Sequence, residues 1–311
     1  MQRDNLTWVS EFILTGLSKD KQMQAGLFVL FGAAYLLTLV GNGLIVLLIA
    51  VDARLHLPMY FFLGHLSLVD ICYTSSGVPQ MLAHFLLDQK TISFRRCGIQ
   101  LFFSLGLGGT EFLLLAAMAY DRYVAVCDPL HYVVTLTPGR CAALAGASWS
   151  VGLANSAVET WVTMRLPTCG RRVLNHVACE TLALVRLACV DISLNQVVIV
   201  VSSVVVLLVP CGMVALSYAH IVAAILRIRS RGGRRKAFGT CASHLVVVSM
   251  AYGMALVTYL QPRATASAEQ DKVVVLFYAV VTPMLNPLIY SLRNKDMKAA
   301  LTRLLGSSPG P

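Results

Sequence analysis

"CGIQLFFSLGLGGTEFLLLAAMAYDRYVAVC", residues 97–127, decides the fold. Across 97–117 the only charged side chain is Glu111, and then Asp121 and Arg122 stand side by side. A run of about 20 apolar residues is what an α-helix needs to cross the hydrocarbon core of a bilayer. An adjacent acid and base at its end belong at the membrane–water boundary, where they snorkel or hold one another until another group competes for the arginine.

Working outward, the rest of the chain repeats the pattern. Of 311 residues, 57% are hydrophobic and only 13% charged, with a mean hydropathy of +0.71. That is far more apolar than a water-soluble domain. Apolar runs lie at 25–51, 57–87, 97–120, 141–164, 192–226, 237–260 and 272–292, joined by mostly short hydrophilic connectors. The expected fold is an all-α membrane protein, a seven-transmembrane helix bundle spanning 25–292. The first run is too long for a signal peptide and ends without a small-residue cleavage site. Residues 1–24 then form an extramembrane N-terminal segment. Residues 293–311 form a tail, in which "RNKDMKAALTRLL", 293–305, reads as an amphipathic helix on the membrane surface.

An odd number of spans puts the termini on opposite sides. Asn5-Leu6-Thr7 is a glycosylation acceptor, used only with the N-terminus outside. The connector 227–236, "RIRSRGGRRK", holds six basic residues and no acidic one, and falls inside in that orientation. The inner segments together carry thirteen basic and four acidic residues, +9 of the formal +10. Charge so placed reads as topology and attraction to lipid headgroups, not as nucleic-acid binding. The expected setting is a plasma membrane with the N-terminus extracellular and the C-terminus cytoplasmic.

Four of nine cysteines, Cys97, Cys169, Cys179 and Cys189, fall on the outer, oxidising side. They make two bridges, and spacing alone leaves three pairings open. Cys72, Cys127, Cys141, Cys211 and Cys241 read as free thiols serving as small apolar residues.

Six blocks then occur in order: "GN" (41–42), "LHLPMYFFLGHLSLVDICY" (55–73), "MAYDRYVAVCDPLHY" (118–132), "SY" (217–218), "KAFGTCASHL" (236–245) and "PMLNPLIYSLRNKDMKAAL" (283–301). Over nearly its whole length the chain resembles the rhodopsin-like seven-helix G-protein-coupled receptors and, within them, the odorant receptors. Gly239, Gly64 and His65 depart from the usual Ser, Ser and Asn, and none removes a charge or proline that the mechanism needs.

The resemblance implies Cys97–Cys179 and Cys169–Cys189 bridges. It also implies an activation switch: Asp121, Arg122 and Tyr123 at the inner end of the third span, Tyr218 in the fifth, and Asn286, Pro287 and Tyr290 in the seventh. Arg122 is the latch, locked to Asp121 until a G-protein helix enters. Pro287 removes one backbone hydrogen bond and creates a hinge on which Tyr290 swings toward Tyr218.

Asp70 and Glu111 are carboxylates within apolar spans, costly unless they face the bundle interior. Eleven residues are close to three turns, so Glu111 and Arg122 lie within about 20° of each other on the helix. Two converging carboxylates cannot both ionise without a cation or a shared proton. As the resemblance implies, they read as a sodium or proton site, and no other cofactor is expected.

The outer third span, "GIQLFFSLGLGG", has no carboxylate for an amine, and "VVVLFYAVVTPMLNP" no lysine for a Schiff base. The expected ligand is a small, neutral, mostly apolar molecule. Its walls are expected from Ser104, Leu105, Gly108 and Gly109, from Ser202, Ser203 and Val206, from Tyr252, Ala255 and Tyr259, and from Tyr278. A few hydroxyls in an apolar cavity fix orientation. "HVACE", 176–180, has a metal-like form, but with Cys179 in a disulfide a His and a Glu make a poor ligand set.

A transporter would show internal repeats and a channel a polar pore stripe, and neither is found. The histidines are scattered and no nucleophile stands with a base, so no enzyme is expected. An odorant binding better to a state with the sixth span's inner end moved out raises the active population by that differential affinity. The expected partner is a stimulatory G protein that raises cyclic AMP. A non-olfactory receptor for a lipid-like or metabolite ligand would carry the same motifs.

Overall fold

The computed structural model describes residues 9–18, 20–260 and 268–306. Seven long helices form one bundle: α1 Lys21–Val51, α2 Pro58–Leu86, α3 Phe94–Cys127, α4 Pro138–Met164, α5 Ser193–Arg227, α6 Arg231–Leu260, and α7, which runs from Ala268–Leu276 through a π-turn Phe277–Val281 into Thr282–Arg293. A short α8, Lys295–Gly306, follows.

The sequence marks several starts. Asp20, Ser93 and Thr137 each accept a hydrogen bond from the backbone N–H two or three residues on, and Pro58 and Pro138 occupy first-turn positions where a missing N–H costs nothing.

Among the described residues, five helices are long and apolar enough to cross a membrane singly, and the bent α6 makes a sixth. The seventh, α2, falls short on hydropathy because it buries Ser67, Asp70, Thr74 and His84 within the bundle. In α3, 72% of the apolar window is buried against 28% in α1, α4 and α5, so α3 is the central post and the other three face lipid. Small residues set the closest crossing: a Cβ on Gly152 of α4 would meet Thr110 and the Gly106 carbonyl of α3.

Helix ends differ from the expected spans. α3 continues to Cys127, so Asp121 and Arg122 sit inside it. α6 begins at Arg231, which leaves only 228–230 of the basic connector outside helix. α1 starts at Lys21 and α8 at Lys295.

Among the described residues, one regular feature is not helical. β1 Glu11–Leu14 pairs antiparallel with β2 Thr91–Ser93 and parallel with β3 Val173–Leu174, in the order β2-β1-β3. Phe12 and Leu14 bury their side chains with Ile92, Leu101, Leu174 and Leu184 around the Cys97–Cys179 bridge. The second bridge is Cys169–Cys189. Both pairings implied by the resemblance are present. This is the disulfide end of the bundle, and the opposite end carries Arg122.

Candidate functional site

Beneath the disulfide end, helices α2 to α7 and the loop 165–192 line a partly open cavity of about 190 Å³. A π-turn at Val204–Leu208 interrupts α5 just before Pro210, which has no N–H for a regular ladder. The turn places Val206 and Leu207 on the cavity wall after Ser202 and Ser203. The second π-turn carries Tyr278 to the wall from α7.

Of the expected wall residues, Ser104, Leu105, Gly108, Gly109, Ser202, Ser203, Val206, Ala255 and Tyr278 line this space. Tyr252 does not. It lies beside the cavity, with its hydroxyl donating to the Phe112 carbonyl at 2.7 Å. The Tyr259 side chain and Asn5 lie outside the described residues.

The structure adds polar groups that the sequence reading missed. Asn155 and Glu159, one turn apart on α4, face the cavity together with Gln100, Glu180 and Thr181. The α3 wall has no carboxylate in its outer half, as expected, but α4 and the loop bring two. Glu159 was legible as a lone acid in an apolar run, the same signal that picked out Asp70 and Glu111.

The floor is a chain of buried polar groups. The Tyr278 hydroxyl donates to Glu111 Oε2 at 2.5 Å, and Asn286 Nδ2 donates to Asp70 Oδ2 at 2.9 Å. The other oxygens, Glu111 Oε1 and Asp70 Oδ1, are buried without a protein partner. Asn42 Nδ2 donates to the carbonyls of Thr38 and Pro283, tying α1 to α7. The residues expected to form an ion site are thus buried in one region, each with an oxygen to spare.

At the far end the pair expected as a latch is wide, and Asp121 has a further partner. Arg122 Nε is 3.9 Å from Asp121 Oδ2, while Asp121 Oδ1 accepts a 2.7 Å bond from the Tyr132 hydroxyl. Tyr132 belongs to the "CDPLHY" that closes the quoted motif. Tyr123 packs its ring against His220 of α5, 5.7 Å between centroids.

Tyr218 does not engage Arg122. Its hydroxyl pairs with His244 Nδ1 at 2.7 Å, and His244 Nε2 meets the Leu115 carbonyl at 3.1 Å. His244 therefore clamps α6 to α3 and α5. It had read as one histidine scattered among others, since a single His in an apolar run does not say which neighbour it meets. Tyr290 is buried, and its hydroxyl has no protein partner. Among the described residues no cluster of three or more His, Cys, Asp or Glu suits a metal.

Comparison with known proteins adds a family, two relatives and a fold. A family described as "Olfactory receptor" matches residues 31–308. Human "Olfactory receptor 2F1" is 57% identical over 310 residues, covering 100% of this chain and 98% of its own. The dog "Olfactory receptor-like protein OLF3" is 56% identical over the same extent. Among solved structures, squid rhodopsin superimposes with a TM-score of 0.73 over 97% of this chain and 92% of that one, at 16% identity, a likeness of fold alone.

Proposed function

Since the chain belongs to the olfactory receptor family, we propose that it is an odorant-gated receptor that binds a small, mostly apolar, neutral molecule and activates a stimulatory heterotrimeric G protein, raising cyclic AMP. The observation that carries this reading is the partly open cavity of about 190 Å³, with apolar walls broken by a few polar groups.

The disulfide end faces outward and the Arg122 end the cytoplasm of a plasma membrane, with the N-terminus extracellular. This orientation is supported by the two disulfides, which need an oxidising compartment.

Ligand contact with Tyr278 acts on the floor below it, because Tyr278 is bonded to Glu111. Asp70 and Glu111 hold a sodium ion or share a proton, for which their two unpaired oxygens provide the accepting atoms. Movement of α6 away from α3 breaks the His244 bridges, frees Tyr218 toward Arg122, and opens the inner end to the G protein. An odorant shifts the population only by binding the opened state more tightly.

The test is cyclic AMP production in cells expressing the parent or Arg122→Ala, at matched surface density, against neutral volatiles. A response present in the parent and absent in the variant supports the reading. A response equal in both, or a lipid-like metabolite that is the sole activator, overturns it. For the ion site, sodium raises the thermal stability of the purified parent and leaves Asp70→Asn unchanged. Equal shifts in both would remove that role.

A further inference from the structure

The α4–α5 wall of the cavity has an uneven supply of protons. Glu159 is about 95% buried and lines the cavity. Its Oε1 accepts from the Thr181 hydroxyl at 3.1 Å. One turn back, Asn155 Oδ1 accepts from the Ser202 hydroxyl at 3.1 Å, and Ser203 donates to the Ile199 carbonyl at 2.8 Å. All three hydroxyl protons on this wall are therefore spent inside the protein.

What remains is mainly lone pairs on the Glu159 carboxyl, with the Asn155 amide N–H as the remaining donor. Among the described residues no Lys or Arg lines the cavity. A buried acceptor left facing a ligand that offers no proton loses its hydrogen bond to water and gains nothing.

Resting on the reading of this cavity as the odorant site, we propose that the wall around Glu159 selects ligands by their head group: a small alcohol or phenol, preferred over the ether, ester or ketone of the same carbon skeleton. A hydroxyl meets both needs of the wall, donating to Glu159 and accepting from the Asn155 amide. An ether or ketone can only accept, and leaves the carboxyl with its protein partner Thr181 alone. The rest of the lining, including Leu105, Phe112, Val206, Leu207 and Met254, takes the apolar body without specifying it.

The experiment compares matched alcohol, methyl ether, acetate and amine series in the parent, Glu159→Leu and Glu159→Gln at equal surface density, read as cyclic AMP. In the parent the alcohol is more potent than its methyl ether by about tenfold to a hundredfold, the range for leaving one buried polar group without a ligand partner. Glu159→Leu brings that ratio close to one by weakening the alcohol alone, and Glu159→Gln, which keeps an acceptor oxygen, restores part of it. A merely structural role would weaken both series alike. An alcohol-to-ether ratio that survives in Glu159→Leu, or an ester more potent than the alcohol, overturns the assignment. So does an amine that outdoes the alcohol and fails in Glu159→Gln, which would make the preferred head group a cation.

Thermal stabilisation of the purified receptor by the same series needs no G protein. If alcohols stabilise the parent and ethers do not while cyclic AMP stays flat, the coupling is wrong and the head-group preference stands. If the two series stabilise equally, or neither does, the preference itself is wrong.

Discussion

At the disulfide end, two covalent bridges and a three-stranded sheet fix the loops over the cavity. At the Arg122 end, the corresponding contacts are hydrogen bonds from Tyr132 to Asp121 and between Tyr218 and His244. Covalent bonds do not exchange on the timescale of signalling, whereas hydrogen bonds trade partners for modest free energy. One end is therefore suited to keep a shape and the other, on the proposed function, to have two, with α3 spanning both.

The sharpest way to break the comparison is to make the rigid end loose. Cys97→Ser opens a link between residues 82 apart in sequence, for which chain entropy gives roughly 4.5 kcal/mol. Loss of nearly all surface receptor is expected, measured by staining intact cells. Cys169→Ser opens a link across 20 residues and is expected to cost about 1 kcal/mol less, leaving a measurable surface fraction.

At the Arg122 end the effects are expected in activity. His244→Ala removes the clamp of α6 on α3 and α5, and basal cyclic AMP is expected to rise severalfold with surface level unchanged. Unchanged basal activity would mean that the clamp carries none of the resting bias.

Tyr132→Phe deletes one hydrogen bond to Asp121, about 1 kcal/mol. The freed carboxylate holds Arg122 more tightly, so the odorant response is expected to need severalfold more ligand.

The smallest effect is expected at Asp52, which joins α8 to the end of α1 by accepting from Arg303 Nε at 3.0 Å. That bond holds the Asp52 carboxyl below its usual range. The tie is then complete above the ordinary carboxylate pKa and is lost as pH falls through the lowered value. At neutral pH, Asp52→Asn is expected to change odorant potency by less than twofold. A larger change would make α8 part of the switch.

Much of this was legible before folding, and for a physical reason. Crossing a bilayer demands long uninterrupted apolar runs, so the helices announce themselves, and the ends shift only by a few residues. Charges within those runs are so costly that Asp70 and Glu111 stand out against the background. The three-stranded sheet was not legible, because its strands are two to four residues long and lie far apart in the chain. Nor was the precise lining: Tyr252 bonds the Phe112 carbonyl instead of lining the cavity, a matter of how α6 is rotated by a fraction of a helical turn.

The sequence by itself determined that this chain is a seven-helix membrane receptor of the olfactory type, because hydrophobic length and a set of spaced motifs are properties of the chain read in order. Only the tertiary structure decided that Tyr278 bonds Glu111, that His244 rather than Arg122 holds Tyr218, and that Glu159 opens onto the cavity. Those are choices among several partners within reach, and they are made by how helices rotate and pack against one another, which no single helix encodes.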